Sequence, residues 1–274
     1  MEDVFVGSAA LASGTLTRGQ LRWNYRAMFP DVYTDKSASP QLAQRTVGAH
    51  LWSKRRAVIA GVAAAALHGA RVDDQSVDVE LICRSGRSPR GITVRNESID
   101  AEEIIHIDGI PVTTVERTAL DLGRHLPRDQ SVAVLDALAC ATGVAASDVE
   151  PLFDRYRGTR GLRHSMRSLA LMDGGSQSPQ ETATRLAMIA AGLPPPRTDF
   201  TITDGNDRMR VAMGYDAPMV GVVVGVDDSS LAVRAGWKVI DAINARAMTT
   251  AVLVRMAVIE RGYPVHRLQQ LARR

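Results

Sequence analysis

The chain has 274 residues, of which 45% are hydrophobic and 23% are charged, so it is long enough for about two folded domains and is not composed like a disordered protein. Its 33 Lys and Arg against 30 Asp and Glu give a net charge of +3, too small to argue for a polyanion partner without local clustering. Cys83 and Cys140 show no CxxC or Cys/His spacing, which excludes a zinc motif and a disulfide framework.

Neither a leader nor a membrane span is indicated. The start, Met-Glu-Asp-Val-Phe, is acidic where a signal peptide would be basic. The longest apolar run, 57–67, has about 11 residues, whereas a transmembrane helix needs about 20. These features predict a cytoplasmic protein with no membrane partner.

The first part of the chain alternates helices and strands. Thr17 is a suitable N-cap for a helix that we expect to reach about Phe29. Further helices are predicted over 40–54 and 62–68, and strands over 30–35, 57–60, 77–83 and 91–95. Asp108-Gly109 predicts a hairpin turn between strands 104–106 and 110–112.

Helices follow over 115–125, 129–141, 147–155 and 162–172, and the polar, glycine-rich segment 173–177 is the best domain boundary. Beyond it we predict a helix over 179–191, strands over 198–203 and 209–214 around Asp204-Gly205, strands over 219–226 and 237–241, and C-terminal helices. The predicted fold class is therefore α/β, in the α+β sense.

Several motifs of the last hundred residues occur in a fixed order. They are Ser178-Pro-Gln-Glu181, in which Ser178 is the helix cap, then the segments 191–195 (AGLPP), 210–215 (RVAMGY), 220–222 (VGV) and 234–240 (RAGWKVI). In this order they resemble a bacterial family related to very-short-patch-repair endonucleases. The resemblance implies a restriction-endonuclease-like fold, in which acids from a helix and two strands hold Mg²⁺ and the metal activates water.

The chain departs from that pattern at the acids. Glu181 matches the helical acid, but Ala212, Val223 and Gly225 stand where the strand acids belong, and the histidine segment that should follow is missing. We therefore expect a pseudonuclease with no metal and no cofactor. The alternative is a Mg²⁺-dependent endonuclease with a rearranged site around Glu181, using acids such as Asp216, Asp227 and Asp228.

Motifs also run through the first half: 16–22 (LTRGQLR), 29–33 (FPDVY), 64–69 (AAALHG), 108–122 (DGIPVTTVERTALDL) and 160–163 (RGLR). They resemble the AbiEi antitoxin group of type IV toxin–antitoxin systems. The resemblance implies a winged-helix-like DNA-binding region at 1–60, an AbiEi-like α/β and helical region at 61–172, and a degenerate endonuclease-like domain at 177–274 that lacks part of its core motif. The spacing from Thr17 to Asp31 is short for two helices and a turn.

Basic groups supply the candidate DNA contacts. Arg18, Arg22 and Arg26 would form one stripe on the predicted helix, with Thr17 beside them. The other candidates are Lys54, Arg55, Arg56, Arg160 and Arg163. Each group is alternatively an ordinary solvated surface. His68, Glu116 and Arg117 are predicted to be structural, as a packed histidine and a helix cap or salt bridge.

The sequence predicts a noncatalytic DNA-binding regulator of the AbiEi-like type, with DNA as partner and with a cognate toxin and a homodimer left open. The second alternative is a protein-interaction module that does not bind DNA. Loss of a helix beside the strand at 220–226 would leave that uncharged strand exposed and prone to aggregation, unless a dimer covers it.

Overall fold

A computed structural model describes residues 4–73, 77–84, 87–225, 229–242 and 245–264. The fold is mixed α/β, as the sequence predicts. The chain forms two compact units: the first comprises Met1–Val134 with Ala141–Ala170, and the second comprises Leu135–Cys140 with Leu171–Arg274. The division into three functional domains stays a prediction.

The first unit begins with a small three-stranded antiparallel sheet. Its elements are β1 (Val4–Val6), α1 (Gly7–Ala12), α2 (Arg18–Asn24), β2 (Tyr25–Phe29), β3 (Val32–Asp35) and α3 (Leu42–Trp52). The strand order is β1-β3-β2, and α3 packs on all three strands. The helix predicted over 17–29 is wrong beyond Asn24, because Tyr25 is extended and the chain then pairs with β3.

The first unit also contains a five-stranded sheet of order β6-β5-β4-β8-β7. Its elements are β4 (Val58–Ala60), α4 (Gly61–Leu67), β5 (Val79–Ile82), β6 (Ile92–Arg95), β7 (Ile104–Ile107) and β8 (Ile110–Thr113). Asp108 and Gly109 both have positive φ and form the predicted hairpin turn between β7 and β8. Helices follow as α5 (Val115–His125), α6 (Arg128–Thr142), α7 (Ala146–Arg155) and α8 (Leu162–Leu169).

The second unit is built on a four-stranded sheet of order β12-β11-β10-β9, in which β11 and β12 are parallel and the other pairs antiparallel. Its elements are α9 (Pro179–Ala190), β9 (Arg197–Asp204), β10 (Asp207–Tyr215), β11 (Val220–Val223), α10 (Ser230–Arg234), β12 (Lys238–Asp241) and α11 (Ala247–Glu260). α9 and α11 contribute to the apolar core on one side of this sheet, and α10 contributes to a second apolar cluster.

The alternative in which the strand at 220–226 is exposed does not hold for β11. Val220, Gly221, Val222 and Val223 are all buried, because β10 and β12 flank the strand and apolar clusters cover its side chains. Val226 lies outside the described residues.

No single helix in the described part of the chain is long and apolar enough to cross a bilayer. Only α6 and α7 taken together reach the required length and composition, and they meet at a bend of 117°.

Candidate nucleic-acid interface and remnant acidic site

Helix α2 is fixed at its start and exposed along most of its length. Gln20 N donates to the Thr17 hydroxyl at 3.2 Å, and Thr17 N donates to Gln20 Oε1 at 2.8 Å, which forms a capping box. Leu21 is buried and anchors the helix, while Arg18 and Arg22 are exposed. Thr17 therefore positions the helix, and the two arginines are available to a ligand.

The same helix carries an exposed aromatic side chain, Trp23, directly after Arg22 in the chain. Trp23 is 72% exposed. Neither Arg18 nor Arg22 has a hydrogen-bond or ion-pair partner within the described ranges, so their charges are uncompensated there. At the end of the helix, Lys36 Nζ approaches the Trp23 carbonyl oxygen at 3.4 Å, where a cation complements the helix dipole. Positive charge and a stacking surface thus share this end of α2.

The predicted stripe of three arginines on one helix is wrong at Arg26. This residue lies on β2, opposite Thr34 of β3, and its Nη2 donates to the Ala38 carbonyl oxygen at 2.7 Å. Strand pairing overrides the helical preference of the segment, and the ring of Tyr25 packs edge-on against Phe5 at 5.0 Å. Arg26 is exposed, but its guanidinium is hydrogen-bonded to the Ala38 carbonyl oxygen. It lies on the strand that follows α2 and not on the helix itself.

A helix that the sequence reading missed precedes α2. α1 is held by the β2–β3 turn, because Gly7 N donates to the Asp31 carbonyl oxygen at 2.9 Å and Ser8 N donates to Asp31 Oδ1 at 2.8 Å. Asp31 adopts a left-handed φ of 62°. Two short helices therefore precede β2, and the first of them lies before Thr17.

Lys54, Arg55 and Arg56 are exposed in the connection between α3 and β4. Lys54 and Arg55 both have left-handed φ values, 58° and 61°, while Lys54 N and Arg55 N close the end of α3 on the carbonyl oxygens of Leu51 and His50. Lys54 and Arg55 line an open cleft of about 510 Å³ together with Asp31 and Trp52. Burial, and then the Arg55 charge, lower the pKa of His50.

Arg160 and Arg163 are exposed at the start of α8, and Arg167 is exposed one turn further on. Within the part of the chain that the structure describes, no carboxylate pairs with these three guanidinium groups. The neighbouring Arg155 behaves differently, since it is bound to Glu102 and Glu103. Arg160, Arg163 and Arg167 are therefore solvent-facing charges, whereas Arg155 belongs to an ionic network.

Glu181, the acid that matches the endonuclease pattern in the sequence analysis, is almost fully buried in the first turn of α9. Ser178 caps this helix by accepting from Glu181 N at 3.2 Å, as predicted. The Glu181 carboxylate accepts two hydrogen bonds from Arg210, at 2.9 and 3.0 Å, and a third from Gln177 N at 2.9 Å. Arg210 also donates to Asp199 Oδ1 at 2.6 Å. This geometry is a bidentate ion pair, in which both carboxylate oxygens are engaged.

The positions expected to carry the other acids are apolar in the folded chain as well. Ala212 and Val223 are buried in the apolar core, and Gly225 follows the end of β11 with a φ of 72°. Asp216 pairs with Arg197 at 3.1 Å on the surface. Asp227 and Asp228 lie outside the described residues.

These residues do not fit a Mg²⁺ site. Mg²⁺ needs near-octahedral oxygen ligation, with carboxylates that are free to bind it. The two acids that approach each other here, Glu181 and Asp199, both bind the guanidinium of Arg210. The hydrogen bonds from Arg210 to the two acids raise the pKa of its guanidinium, with that to Glu181 the strongest cause, so the charge that sits against these carboxylates is permanent.

A larger ionic network lies inside the first unit, and of its members the sequence analysis singles out only Arg117. Arg117 is fully buried; its Nε donates to Asp121 at 3.0 Å and its Nη1 to Glu103 at 2.6 Å. Tyr156 donates to Glu103 at 2.6 Å, and its ring lies 4.6 Å from the Arg117 guanidinium carbon. The network joins Glu80, Glu97, Glu103 and Asp121 to Arg95, Arg117, Arg124 and Arg155, and Arg155 also binds Asp100 and Glu102. The structural role predicted for Arg117 is confirmed.

The pKa values in this network follow burial and pairing. The hydrogen bond from His125 is the largest cause lowering the pKa of Glu97 to about 2, with Arg124 adding to it and burial opposing it. Burial raises the pKa of Asp121, although Arg117 counters the effect. Glu97, Asp121 and His125 place their ligand atoms within 4.8 Å of one another, but Arg117 and Arg124 already bind the two acids.

His68, predicted to be a packed or capping histidine, ends α4, and its Nε2 lies 2.8 Å from the Thr113 carbonyl oxygen. This contact ties the helix to β8. The structural role predicted for His68 is therefore confirmed.

The chain is similar to two mycobacterial proteins. They are the uncharacterized protein MT2308 of Mycobacterium tuberculosis strain CDC 1551 / Oshkosh and the uncharacterized protein Rv2248 of strain ATCC 25618 / H37Rv, each 27% identical over 177 residues. The aligned stretch covers 64% of this chain and 65% of each relative, so the chain spans less than two thirds of their length. No protein-family model matches the chain.

Proposed function

We propose that this protein is a noncatalytic DNA-binding regulator of the AbiEi-like antitoxin type, with a pseudonuclease as its second unit. The observation that carries the proposal is α2: a capped helix whose exposed residues include two uncompensated arginines and a tryptophan. Helix-turn-helix modules read DNA with the second helix of a pair, and α2 is the second helix here, followed by the β2–β3 hairpin.

The charges support a phosphate-contacting role for this surface. Arg18 and Arg22 lie one turn apart on the same side of α2, with Lys36 at its C-terminal end. Guanidinium groups bind phosphate oxygens through paired donors, and each phosphate that is neutralised releases a condensed counterion. The exposed groups at Lys54, Arg55 and Arg56, and at Arg160 and Arg163, extend the proposed contacts; a cognate toxin remains a proposed partner.

The noncatalytic part of the proposal rests on the Glu181–Arg210 pair. The metal that a restriction-endonuclease-like site needs is replaced in this place by a guanidinium, which supplies positive charge but cannot activate water. Ala212 and Val223 contribute apolar packing where the other carboxylates would stand. The second unit thus serves as a folded module without nuclease turnover.

Fluorescence anisotropy with a labelled random-sequence duplex, measured over a salt series, tests the proposal. Arg18→Ala/Arg22→Ala should weaken binding and reduce the slope of log affinity against log salt by about 2, one unit per lost phosphate contact. The matched control is Arg208→Ala/Arg261→Ala, which removes two exposed arginines from the second unit. Its net charge is therefore the same as that of Arg18→Ala/Arg22→Ala.

The same samples are incubated with Mg²⁺ to detect cleavage. Intact DNA together with salt-sensitive binding is the expected result. Absence of binding at low salt would overturn the DNA-binding proposal and favour a protein-interaction module. Cleavage that Glu181→Ala abolishes would overturn the noncatalytic part alone.

A further inference from the structure

The open cleft between the β2–β3 turn and the end of α3 has the size and the composition of a small-molecule site. Its volume of about 510 Å³ lies within the range of about 300–1,000 Å³ that such sites occupy. Small-molecule sites combine an apolar wall with a few polar groups. Val32, Leu51 and Trp52 supply the apolar wall of this cleft, and Asp31, Lys54 and Arg55 bring charges to it.

The two cations of the cleft have no carboxylate partner. Across residues 4–73 and the other described ranges, neither the Lys54 nor the Arg55 side chain forms an ion pair or a hydrogen bond. Asp31 also lines the cleft, but each oxygen of its carboxylate already accepts from Ser8, one from the backbone N and the other from the hydroxyl. Two positive charges thus stand against one negative charge that is already engaged, which favours an anionic ligand.

The backbone that carries the two cations is strained. Lys54 N donates to the Leu51 carbonyl oxygen at 2.9 Å, and Arg55 N donates to the His50 carbonyl oxygen at 3.0 Å. These two bonds form the Schellman pattern, in which glycine usually follows the helix cap because the chain turns left-handed there. Here Lys54 has a φ of 58° and Arg55 a φ of 61°. Residues other than glycine adopt this conformation at a cost, and those that do so cluster at ligand sites.

The dipole of α3 accounts for positive charge at this place but not for the left-handed backbone. A cation near the C-terminus of a helix is stabilising. A cation in the last turn of α3, where the backbone is helical, would supply the same charge without strain. Asp31, with a φ of 62°, is a third left-handed residue of the same cleft. The conformation of these residues is therefore better explained by what their side chains bind.

We propose that this cleft binds a single nucleotide, either free or at the 5′-phosphorylated end of a strand. Guanidinium and ammonium groups bind phosphate oxygens, and Arg55 can do so through two donors. Trp52 is half-buried and offers a ring on which a base can stack. The Asp31 oxygens keep lone pairs that can accept from ribose hydroxyl groups. Inorganic phosphate would leave the apolar wall empty, and a duplex does not fit within a cleft of this volume.

Isothermal titration calorimetry of the full chain with adenosine 5′-monophosphate (AMP), without DNA, tests the proposal. The wild type should bind one AMP with a dissociation constant of about 1 mM or lower, and at least about tenfold more tightly than adenosine or inorganic phosphate, which each lack one part of the ligand. Arg55→Ala should raise the dissociation constant by at least about tenfold. Arg71→Ala is the matched control, since it removes an exposed cation of the same unit that does not line the cleft, and it should leave the affinity unchanged.

Lys54→Gly separates ligand binding from folding. Glycine adopts the left-handed conformation without strain, so this variant should raise the urea midpoint of unfolding while it also raises the dissociation constant for AMP. A 5′-phosphorylated oligonucleotide is compared with the same strand carrying a 5′-hydroxyl. If the phosphorylated strand binds more tightly than both AMP and the hydroxyl strand, the site is supported and a strand end is identified as its source.

Three results would overturn the proposal. The first is absence of binding of both millimolar AMP and the 5′-phosphorylated strand. The second is AMP binding that Arg55→Ala and Lys54→Gly leave unchanged, because the nucleotide would then bind elsewhere. The third is inorganic phosphate that binds as tightly as AMP, which would make the cleft a simple anion site. Because the titrations contain no duplex DNA, each result is independent of whether α2 binds DNA.

Discussion

Replacing Arg210 by methionine tests whether this arginine stabilises the second unit in place of a metal. The Glu181 side chain is only 5% exposed, and without Arg210 it would keep one hydrogen bond, from Gln177 N. Breaking a buried ion pair costs about 3–5 kcal/mol; because Arg210 is itself 36% exposed and water can enter, we expect a loss of about 2–3 kcal/mol in the free energy of unfolding.

Urea unfolding followed by the fluorescence of Trp237 measures this loss within the second unit. Trp237 packs against Phe200 with ring centroids 5.3 Å apart, so its emission reports on that unit once Trp23 and Trp52 are changed to phenylalanine. Arg208→Met is the matched control, on the same strand and exposed, and should change stability by no more than about 0.5 kcal/mol.

A second substitution isolates the ion pair from other effects of the methionine. In the double variant Glu181→Gln/Arg210→Met the buried residue is neutral, so the loss should be clearly smaller than for Arg210→Met alone. Equal stability of the Arg210→Met and Arg208→Met variants would refute the reasoning, because it would mean that Glu181 does not depend on its arginine.

Three further predictions concern the first unit. Arg117→Met should destabilise the protein by about 3–5 kcal/mol in urea unfolding followed by circular dichroism, because it leaves buried carboxylates without their cation. The pKa of Glu97 is lowered from 4.5 to about 2, so its contribution to stability is fully present above pH 4.5 and is lost as the pH falls towards 2. The difference in unfolding free energy between wild type and Glu97→Gln should therefore shrink over that range, by at most about 3 kcal/mol; Asp121, whose pKa is raised mainly by burial, acts in the opposite direction in both proteins. Trp23→Phe should remove most of the fluorescence change on DNA binding, whereas Trp237→Phe should retain it.

Each of these has a contrary result. If Arg117→Met lowered the free energy of unfolding by less than about 1 kcal/mol, the buried network would contribute no more to stability than exposed ion pairs do. A wild-type minus Glu97→Gln difference that does not change between pH 5 and pH 2 would contradict the lowered pKa. An unchanged fluorescence response in Trp23→Phe would remove this residue from the interface.

The sequence predicted elements well where the signal was local. The turn at Asp108-Gly109 and the Ser178 cap depend on neighbouring residues, and both were found. α1 was missed because it is six residues long and its cap comes from Asp31, in a turn 23 residues from Ser8. The sequence of β2 favours a helix because the pairing of this strand with β3 is a tertiary contact that local propensity does not contain.

The same distinction applies to the polar sites. The Arg117–Asp121 pair at i,i+4 is visible in the sequence, but Glu97 and Glu103 reach Arg117 only through the fold. The absence of carboxylates at Ala212 and Val223 could be read directly. The pairing of Arg210 with Glu181 could not, since 29 residues separate them and only the packing of α9 beside β10 joins them.

The second unit includes a short segment from the middle of α6, Leu135–Cys140. Asp136, within Leu135–Cys140, accepts from Thr182 at 2.7 Å and from Arg185 at 2.7 Å, while Asp173 N donates to its other oxygen. A gene segment that starts at Leu171 would encode Arg185 without this carboxylate and leave the buried guanidinium with only the more distant carboxylate of Asp173, 4.0 Å away. Exchange of this unit between proteins by simple end-to-end recombination is therefore disfavoured, and a transplant that keeps its fold must carry the α6 segment or supply an equivalent acid.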